Sequence, residues 1–419
     1  MKVKRNVWIL NHYAADMMLQ KAGRHYWMAK ELLNRGYRPV IFCANAIHNS
    51  DQVIEIDGDY TVKKQEGIIF VIVKTHPYVG NGISRIRNMA EFYWNVKKVM
   101  KKCWRAGKRP DVILASHVHP LTCKAGIEMG GKWKVPCIVE IRDLWPAELI
   151  SLGAVKEKSL ITAMLYSLEK YLYRKAAAVV FTMEGGARYI HDKKWDTAQG
   201  GPINLRKIHY INNGVDLKGF EENAIRYPTQ DEDLRDERFF NLVYTGSIRK
   251  ANQIDALLDT AKELQDEPAI RFLIWGAGDY LPQIQRRIQE EKIANVKYKG
   301  LVKRKEIPGI LVESDVNIMC WQNMDALKYG CSYNKMFEYL AAGKPIFSMV
   351  HTGYSILKKN SCGYETKGNT PKEFGRDIRE LYHMSEAQRE LLGENAVKAV
   401  KQFDFKVLTG KLIKIIEEL

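Results

Sequence analysis

Short apolar runs alternate with helically spaced segments along nearly the whole chain, and few folds accommodate that alternation. Near the start, "VWIL" reads as a buried strand, "GRHYWMAKELLNRGY" as a helix stopped by Gly36, and "PVIFCA" as a second strand. A strand that is apolar at every position is covered on both faces, and such strands joined by helices build parallel sheets. The series continues through "IIFVIV", a long helix from about Ser84 to Ala106, "DVILAS", a helix around "TCKAGIEMG", "PCIVEI", a helix around "LITAMLYSLEKYLYRKA", "AVVFT" and "KIHYIN". A polar, acidic stretch, "YPTQDEDLRDERFF", interrupts it. A second series then runs "NLVYTG", "DALLDTAKELQ", "IRFLIWGAG", "PQIQRRIQEE", "VKYKG", "IPGILVES", "VNIMCW", "NKMFEYLAA" and "PIFSM". At 419 residues the chain exceeds the usual size of one domain, so two α/β domains are expected. Sites in such sheets lie at the carboxyl ends of the strands, and both halves are expected to face one cleft.

Charge separates the halves. Residues 1–204 carry 32 Lys and Arg against 18 Asp and Glu, whereas the remainder carries 33 against 31. An anionic partner of the first half is implied: nucleic acid, acidic lipid or a phosphorylated substrate. Seven cysteines without paired spacing suit a reducing compartment and no disulfides. The apolar run at the N-terminus, Val7–Leu10, is too short for a signal sequence, and no stretch reaches the roughly 18 apolar residues that span a bilayer. A cytoplasmic protein with peripheral membrane contact is expected.

Several loops carry candidate site residues. In "YGCSYNKMFEYLAAGKPI", Ser332 or Asn334 can cap a helix that Gly343 and Pro345 end, with Lys335 and Glu338 near its first turn. Free amides and a lysine at a helix start suit a phosphate. "LIWGAGD" sets Gly276 and Gly278 directly after a strand, and "VYTGSIRK" does the same with Gly246, adding Arg249 and Lys250 as candidate diphosphate cations. In the first half a long loop, "NHYAADMMLQKAGRHYW", opens a helix at Gly23 and Arg24. "LASHVHP" ends a strand with His117 and His119, at least one of them expected to touch substrate, and "VEIRDLWPAEL" places Arg142, Asp143 and Trp145 at the next strand end. No metal is expected: the histidines lack a third ligand, and the pairs Asp57/Asp59 and Asp231/Asp233 lie in polar, turn-like stretches.

The order of "VEIRDLWP", "INNGVD", "YTGS", "IWGAGD", "VKYKGLV" and "GCSYNKMFEYLAAGKP" resembles the family 4 retaining glycosyltransferases of GT-B fold, especially bacterial enzymes of O-antigen and capsule assembly. The resemblance implies two Rossmann-like domains, an acceptor domain at 1–215 and a donor domain at 216–401, with the final helix, 402–419, packed back on the first. It implies a nucleotide-sugar co-substrate, a UDP-sugar, and no metal cofactor. The acceptor implied is an undecaprenyl-diphosphate-linked saccharide at the inner face of the cell membrane. Gly23, Gly246, Gly276, Gly278, Ser332, Tyr333, Asn334 and Glu338 would bind the donor, and Arg24, Arg142 and Asp143 the acceptor side. His117, His119, Arg249, Lys250 and Lys335 would serve the reacting centre. The family usually carries two glutamates separated by seven residues; Glu338 matches the second, which contacts the donor ribose, and Gly330 stands at the first. Its usual arginine and lysine fall near Ser247 and Asn252, so the diphosphate charge passes to Arg249, Lys250 and Lys335. Residues 296–302 would hold the uracil through backbone groups.

The segment Ser84–Arg109 is expected to bury Ile86, Met89, Phe92, Tyr93, Val96, Val99, Met100 and Cys103 while Arg85, Lys97, Lys98, Lys101, Lys102 and Arg105, with Trp94 and Trp104 at the boundary, meet anionic lipid. A UDP-sugar epimerase of similar fold and a non-enzymatic nucleic-acid-binding protein are the alternatives, although no nucleic-acid module is recognisable.

Overall fold

The computed structural model describes residues 4–47, 52–80, 82–117 and 119–419. They form two units, one of residues 1–212 with 405–419 and one of residues 213–404.

In the first unit β1 (Asn6–Leu10) leads through α1 (Ala14–Gln20) and α2 (Arg24–Asn34) to β2 (Arg38–Ala44). The hairpin of β3 (Tyr60–Gln65) and β4 (Ile68–Val73) is followed by α3 (Ile83–Arg105), β5 (Val112–His117), α4 (Pro120–Trp133) and β6 (Cys137–Ile141). Then come α5 (Trp145–Ser151), α6 (Leu160–Lys175), β7 (Ala178–Phe181), α7 (Gly186–Asp192) and β8 (Ile208–Tyr210). The sheet order is β3-β4-β2-β1-β5-β6-β7-β8, parallel throughout except that β3 runs antiparallel to β4. That edge strand was not apparent from sequence because "YTVKKQ" is polar and half-exposed, with no apolar run to mark it. The loop after β1 also differs from expectation, since α1 folds within it and buries Ala14, Ala15 and Met18.

The second unit begins with α8 (Leu217–Arg226) and continues through β9 (Phe240–Thr245), α9 (Ile254–Lys262), β10 (Ile270–Trp275), α10 (Leu281–Glu290) and β11 (Val296–Gly300). Helix α11 (Ile307–Leu311), β12 (Val316–Met319), α12 (Asn334–Ala341), β13 (Ile346–Ser348), α13 (Ile356–Asn360) and β14 (Gly363–Glu365) follow, then α14 (Pro371–Tyr382) and α15 (Glu386–Val400). Its sheet, in the order β11-β10-β9-β12-β13-β14, is wholly parallel. The last helix, α16 (Phe405–Glu418), belongs to the first unit, where Leu408, Leu412 and Ile416 join the core against α2.

Helix α3 buries Met89, Phe92, Tyr93, Val96, Val99, Met100 and Cys103 as its spacing predicts, but its cations are not a free row. Lys97 is 13% exposed and pairs with Glu128 at 2.6 Å, while Lys102 pairs with Asp59. Trp104 stacks on Trp133, with ring centroids 4.4 Å apart, and Ile86, expected inside, is exposed. Two helices along, α6 hides a carboxylate: Glu169 accepts from Tyr173 (2.5 Å) and from Tyr189 (2.8 Å). Burial pushes its pKa up to about 7, outweighing the two hydroxyl donors. A carboxyl that holds its proton more tightly folded than unfolded stabilises fully below the unfolded pKa, and the contribution is lost as pH rises to about 7. Stability measured by denaturant midpoint should therefore fall by at most roughly 3 kcal/mol between pH 4.5 and 7.5 relative to Glu169→Gln, which lacks the titration. Parallel curves for parent and variant would show that the carboxyl does not titrate in this range.

Candidate nucleotide and acceptor sites

The carboxyl ends of β9 and β10 approach each other more closely than side chains permit. Gly246 (φ +146°) and Gly276 (φ +150°) both sit in backbone conformations that favour glycine. A Cβ on Gly276 would lie 1.8 Å from the Gly246 carbonyl oxygen, and one on Gly278 would lie 2.0 Å from that of Ile248. The loops are held in register by Gly246 N–H donating to Trp275 O (3.0 Å) and Ile248 N–H donating to Ala277 O (2.8 Å). Gly276 N–H donates to Gly300 O at 2.9 Å, which extends the arrangement to the end of β11. A cavity of about 160 Å³ opens there, lined by residues 245–247 and 275–277 with Leu301, Val302 and Ile307.

Helix α12 is fastened to the same strand end. Tyr339 OH accepts from Thr245 N–H at 3.0 Å, and one turn earlier Lys335 Nζ donates to Tyr244 OH at 2.8 Å. The ammonium lies 4.0 Å from the centre of the Tyr244 ring and against Gly246, where an added Cβ would meet Nζ at 2.9 Å. Burial lowers the Lys335 pKa to about 8. Glu338, half-buried, faces Arg304 with Oε1 3.7 Å from a guanidinium nitrogen. Burial raises its pKa, opposed by Arg304 and Lys335. These contacts bring Lys335 and Gly246 together at the strand ends, and they give Glu338 a cation partner.

The start of α12 differs from expectation. Tyr333 occupies the N-cap position and no side chain caps the helix. Ser332 Oγ accepts from Asn213 N–H at 3.0 Å, and Asn334 Oδ1 accepts from the Asn213 side-chain amide, so both residues are engaged by the "INNGVD" segment. Tyr333 packs its ring on Trp321 with centroids 5.0 Å apart. Gly343 takes the left-handed conformation (φ +65°) that stops the helix, and Gly330 has φ +99°. Arg249 and Lys250 are exposed in the loop after β9. Ser247 Oγ donates to Asn252 Oδ1 at 3.4 Å, so the two positions that lack the usual cations bond to each other. Asp233 pairs with Arg271, Lys297 and Lys299, and Asp231 pairs with Lys299, so these carboxylates brace the unit from inside.

In the first unit the residues gather around Glu140. This carboxylate, 1% exposed, accepts from Arg24 Nε at 2.8 Å, pairs with His25 Nε2 at 2.8 Å and accepts from Ser116 Oγ at 2.8 Å. Burial alone would raise its pKa, but Arg24 and His25 outweigh that effect and hold it well below the carboxylate range. The remaining Arg24 donors reach the carbonyls of Asn212 (2.5 Å) and Ile211 (3.0 Å). Arg24, assigned to the acceptor side from sequence, is 3% exposed and acts as an internal tie. Gly23 (φ +99°) stands at the N-cap of α2, with Met17 where a Cβ would be.

His117 ends β5 and His119 stands at the N-cap of α4, and both are buried. His119 Nε2 lies 2.6 Å from His12 Nδ1, and its Nδ1 has no partner among the described residues. Burial lowers the pKa of His117 to about 4 and, together with His12, lowers that of His119 well below the usual value. Arg142 is half-buried and Asp143 exposed at the end of β6.

Two family descriptions cover most of the chain: "Glycosyltransferase Family 4" matches residues 26–218, and "Glycosyl transferases group 1" matches residues 229–399. The chain thus carries a family 4 glycosyltransferase domain and a group 1 glycosyl transferase domain. A Pseudomonas aeruginosa protein described as probable glycosyltransferase WbjE is 21% identical over 263 residues, 60% of this chain and 60% of that relative. An uncharacterised 41.2 kDa protein in the cps region of Klebsiella pneumoniae is 30% identical over 117 residues, 28% of this chain and 31% of its own length. Among solved structures, sucrose-phosphate synthase of Thermosynechococcus elongatus covers 99% of each chain at a TM-score of 0.73 and 14% identity. Anabaena HepE in complex with UDP and glucose covers 99% of this chain and 100% of its own at 0.65 and 14%. These likenesses establish the GT-B fold.

Four site-side residues escaped the sequence reading. Tyr339 lies four residues after Lys335, so helical spacing alone sets it on the same face. Glu140 is the one charge inside the apolar strand "CIVEI", itself a signal of a buried pair. Tyr244 and Arg304 carried no local sign. Gly276→Ala should destabilise the protein by at least about 2 kcal/mol, because the Gly246 carbonyl must move. Gly131→Ala, with nothing within 4 Å of its Cβ, should be neutral or slightly stabilising. Equal denaturation midpoints for the two variants would contradict the close approach.

Proposed function

We propose that this protein moves a sugar from a UDP-sugar to a lipid-linked saccharide, with retention at the anomeric carbon, in the assembly of a bacterial surface polysaccharide. The observation that carries the donor half is the juxtaposition of the Gly246/Gly276 backbone approach, the cavity ending at Leu301 and Val302, and Lys335 beside Gly246. Glycine-bared strand ends let a diphosphate come up to backbone, and Lys335 supplies a positive charge without a long desolvated reach. The base would occupy the cavity along the residues after β11, and Glu338 would accept from the ribose hydroxyls. As the anomeric bond to the diphosphate breaks, negative charge grows on the leaving oxygen. A cation already fixed by Tyr244 stabilises that charge without reorganising. The new bond forms to an acceptor hydroxyl oxygen, whose proton passes to the departing diphosphate oxygen.

Support for the pathway comes from the cps-region relative, the WbjE relative and the basic first half of the chain. The UDP complex of HepE supports the uridine donor. A panel of nucleotide sugars, each incubated with a polyprenyl-diphosphate saccharide and followed by mass spectrometry, tests the reading. Product should form with one UDP-sugar and only with acceptor present. Interconversion of UDP-sugars without acceptor would establish the epimerase instead.

Two variants probe the donor site. Glu338→Gln should weaken donor use by about 1.5–3 kcal/mol, because an amide accepts ribose hydroxyls less strongly than a carboxylate. An unchanged donor KM and kcat would remove Glu338 from the site. Lys335 is a cation in the free protein below about pH 8 and neutral above it. UDP affinity should therefore decline above pH 8, approaching tenfold per pH unit, and Lys335→Met should bind weakly with no such decline. Titration calorimetry across pH 7–10 distinguishes the two curves.

A further inference from the structure

The first unit exposes large apolar side chains in two places that its topology brings to one edge. Helices α3, α4 and α6 each follow a parallel strand, β4, β5 and β6, and lead to the next, so all three run antiparallel to the sheet. Helix α3 packs on α4 and α4 on α6, forming one layer whose helix starts lie along the carboxyl edge of the strands. On that edge α3 opens with Ile83 (85% exposed) and Ile86 (64%), preceded by Val79 (72%). Two helices along, α6 opens with Leu160 (78%), Ile161 (61%) and Met164 (64%), preceded by Leu152 (52%). At 8–10 Å per interhelical step the two groups are about 20 Å apart.

The second group is a built surface and not a frayed end. Ser159 Oγ accepts from Thr162 N–H, and Thr162 Oγ1 donates to the Lys156 carbonyl at 2.8 Å, which fixes the turn before α6. The inner face of α6 is fully used by Thr162, Glu169, Leu172 and Tyr173. Its outer first turns are apolar without a partner among the described residues, and exposed Lys156 and Lys158 stand in the same loop. At the start of α3 the arginines are engaged, Arg87 with Glu91 at 2.8 Å and Arg85 with the Tyr13 hydroxyl at 3.2 Å, so among the described residues of the two groups the free cations are those before α6.

We infer that the outer start of α6 with its preceding loop, together with the first turn of α3, rests on an anionic lipid bilayer. The inference builds on the lipid-linked acceptor proposed above and places the contact away from the middle of α3, where Lys97 and Lys102 are already paired. Exposed apolar side chains with Lys156 and Lys158 beside them, against the single carboxylate of Glu157, match the acyl boundary and the anionic headgroups at once. A self-association face fits less well, since lysine is depleted from the centres of protein interfaces and here Lys156 and Lys158 lie between Leu152 and Leu160.

The test uses the full chain and vesicles of phosphatidylcholine with or without phosphatidylglycerol, separated by sedimentation at low and high salt. The parent should sediment with anionic vesicles and be partly released by salt. Lys156→Gln/Lys158→Gln should weaken this about thirtyfold, each cation contributing about fivefold at an anionic surface. Leu160→Asp/Met164→Asp should abolish it, whereas Lys98→Gln/Lys101→Gln, from the middle of α3, should change it far less. Hydrogen exchange should slow at residues 152–165 when vesicles are added. Parent-like sedimentation of the α6 variants would overturn the inference. So would a dimer in light scattering that Leu160→Asp/Met164→Asp converts to monomer. Transfer to a soluble, short-chain acceptor is measured in the same variants. Retained transfer with lost sedimentation isolates the membrane surface, and absent transfer in the parent argues against the proposed reaction without touching the vesicle result.

Discussion

In the second unit, the approach of one backbone to another at Gly246 and Gly276 sets everything else at the strand ends. Side chains would force β9 and β10 apart at their last residues, and the loops would lose the hydrogen bonds that keep Ile248 against Ala277 and Gly276 against Gly300. Because the loops are bare, Lys335 can lie against Gly246 and the cavity can open beside it. The positioning of α12 follows from the same constraint. Its two anchors, Tyr339 on Thr245 and Lys335 on Tyr244, are one helical turn apart and grip a strand end whose path the glycines define.

The first unit depends on a different physical device. Glu140 sits inside a parallel sheet, where an uncompensated carboxylate is prohibitive, and two elements supply its three partners: α2 through Arg24 and His25, and β5 through Ser116. Arg24 carries the tie on to the carbonyls of Ile211 and Asn212 at the end of the unit. Removing one partner of such a group is far more damaging than replacing the whole set by apolar residues, so the network fixes which elements must meet. His117 at the end of β5 and His119 just after it lie close by in sequence, and their burial lowers their proton affinity.

Reading this chain from its sequence was most reliable where one periodicity decided the outcome. The continuous apolar runs marked the central strands of both sheets, and α3 was placed to within a residue at each end. Reading failed where an element is short or polar. The edge strand β3 has no buried residue and β14 is only three residues long, and neither presents an apolar run. The helix α1 is hidden in a loop whose polar residues mask three buried ones. The expected basic row on α3 was a correct reading of helical geometry, yet Glu128 and Asp59, distant in sequence, neutralise two of its lysines.

The sequence alone determined the two-sheet α/β plan, the glycines at the strand ends and the helix from Asn334 to its stop at Gly343, because these follow from side-chain periodicity and from local backbone preference. Only the tertiary structure decided which charged groups are available. Arg24 and Arg142 look alike in sequence, but one is buried on Glu140 and the other half-exposed. Likewise Lys335 owes its lowered pKa to burial beside Tyr244, ninety-one residues away along the chain. Burial and ion pairing depend on which distant segments come together, and no local pattern of residues encodes that.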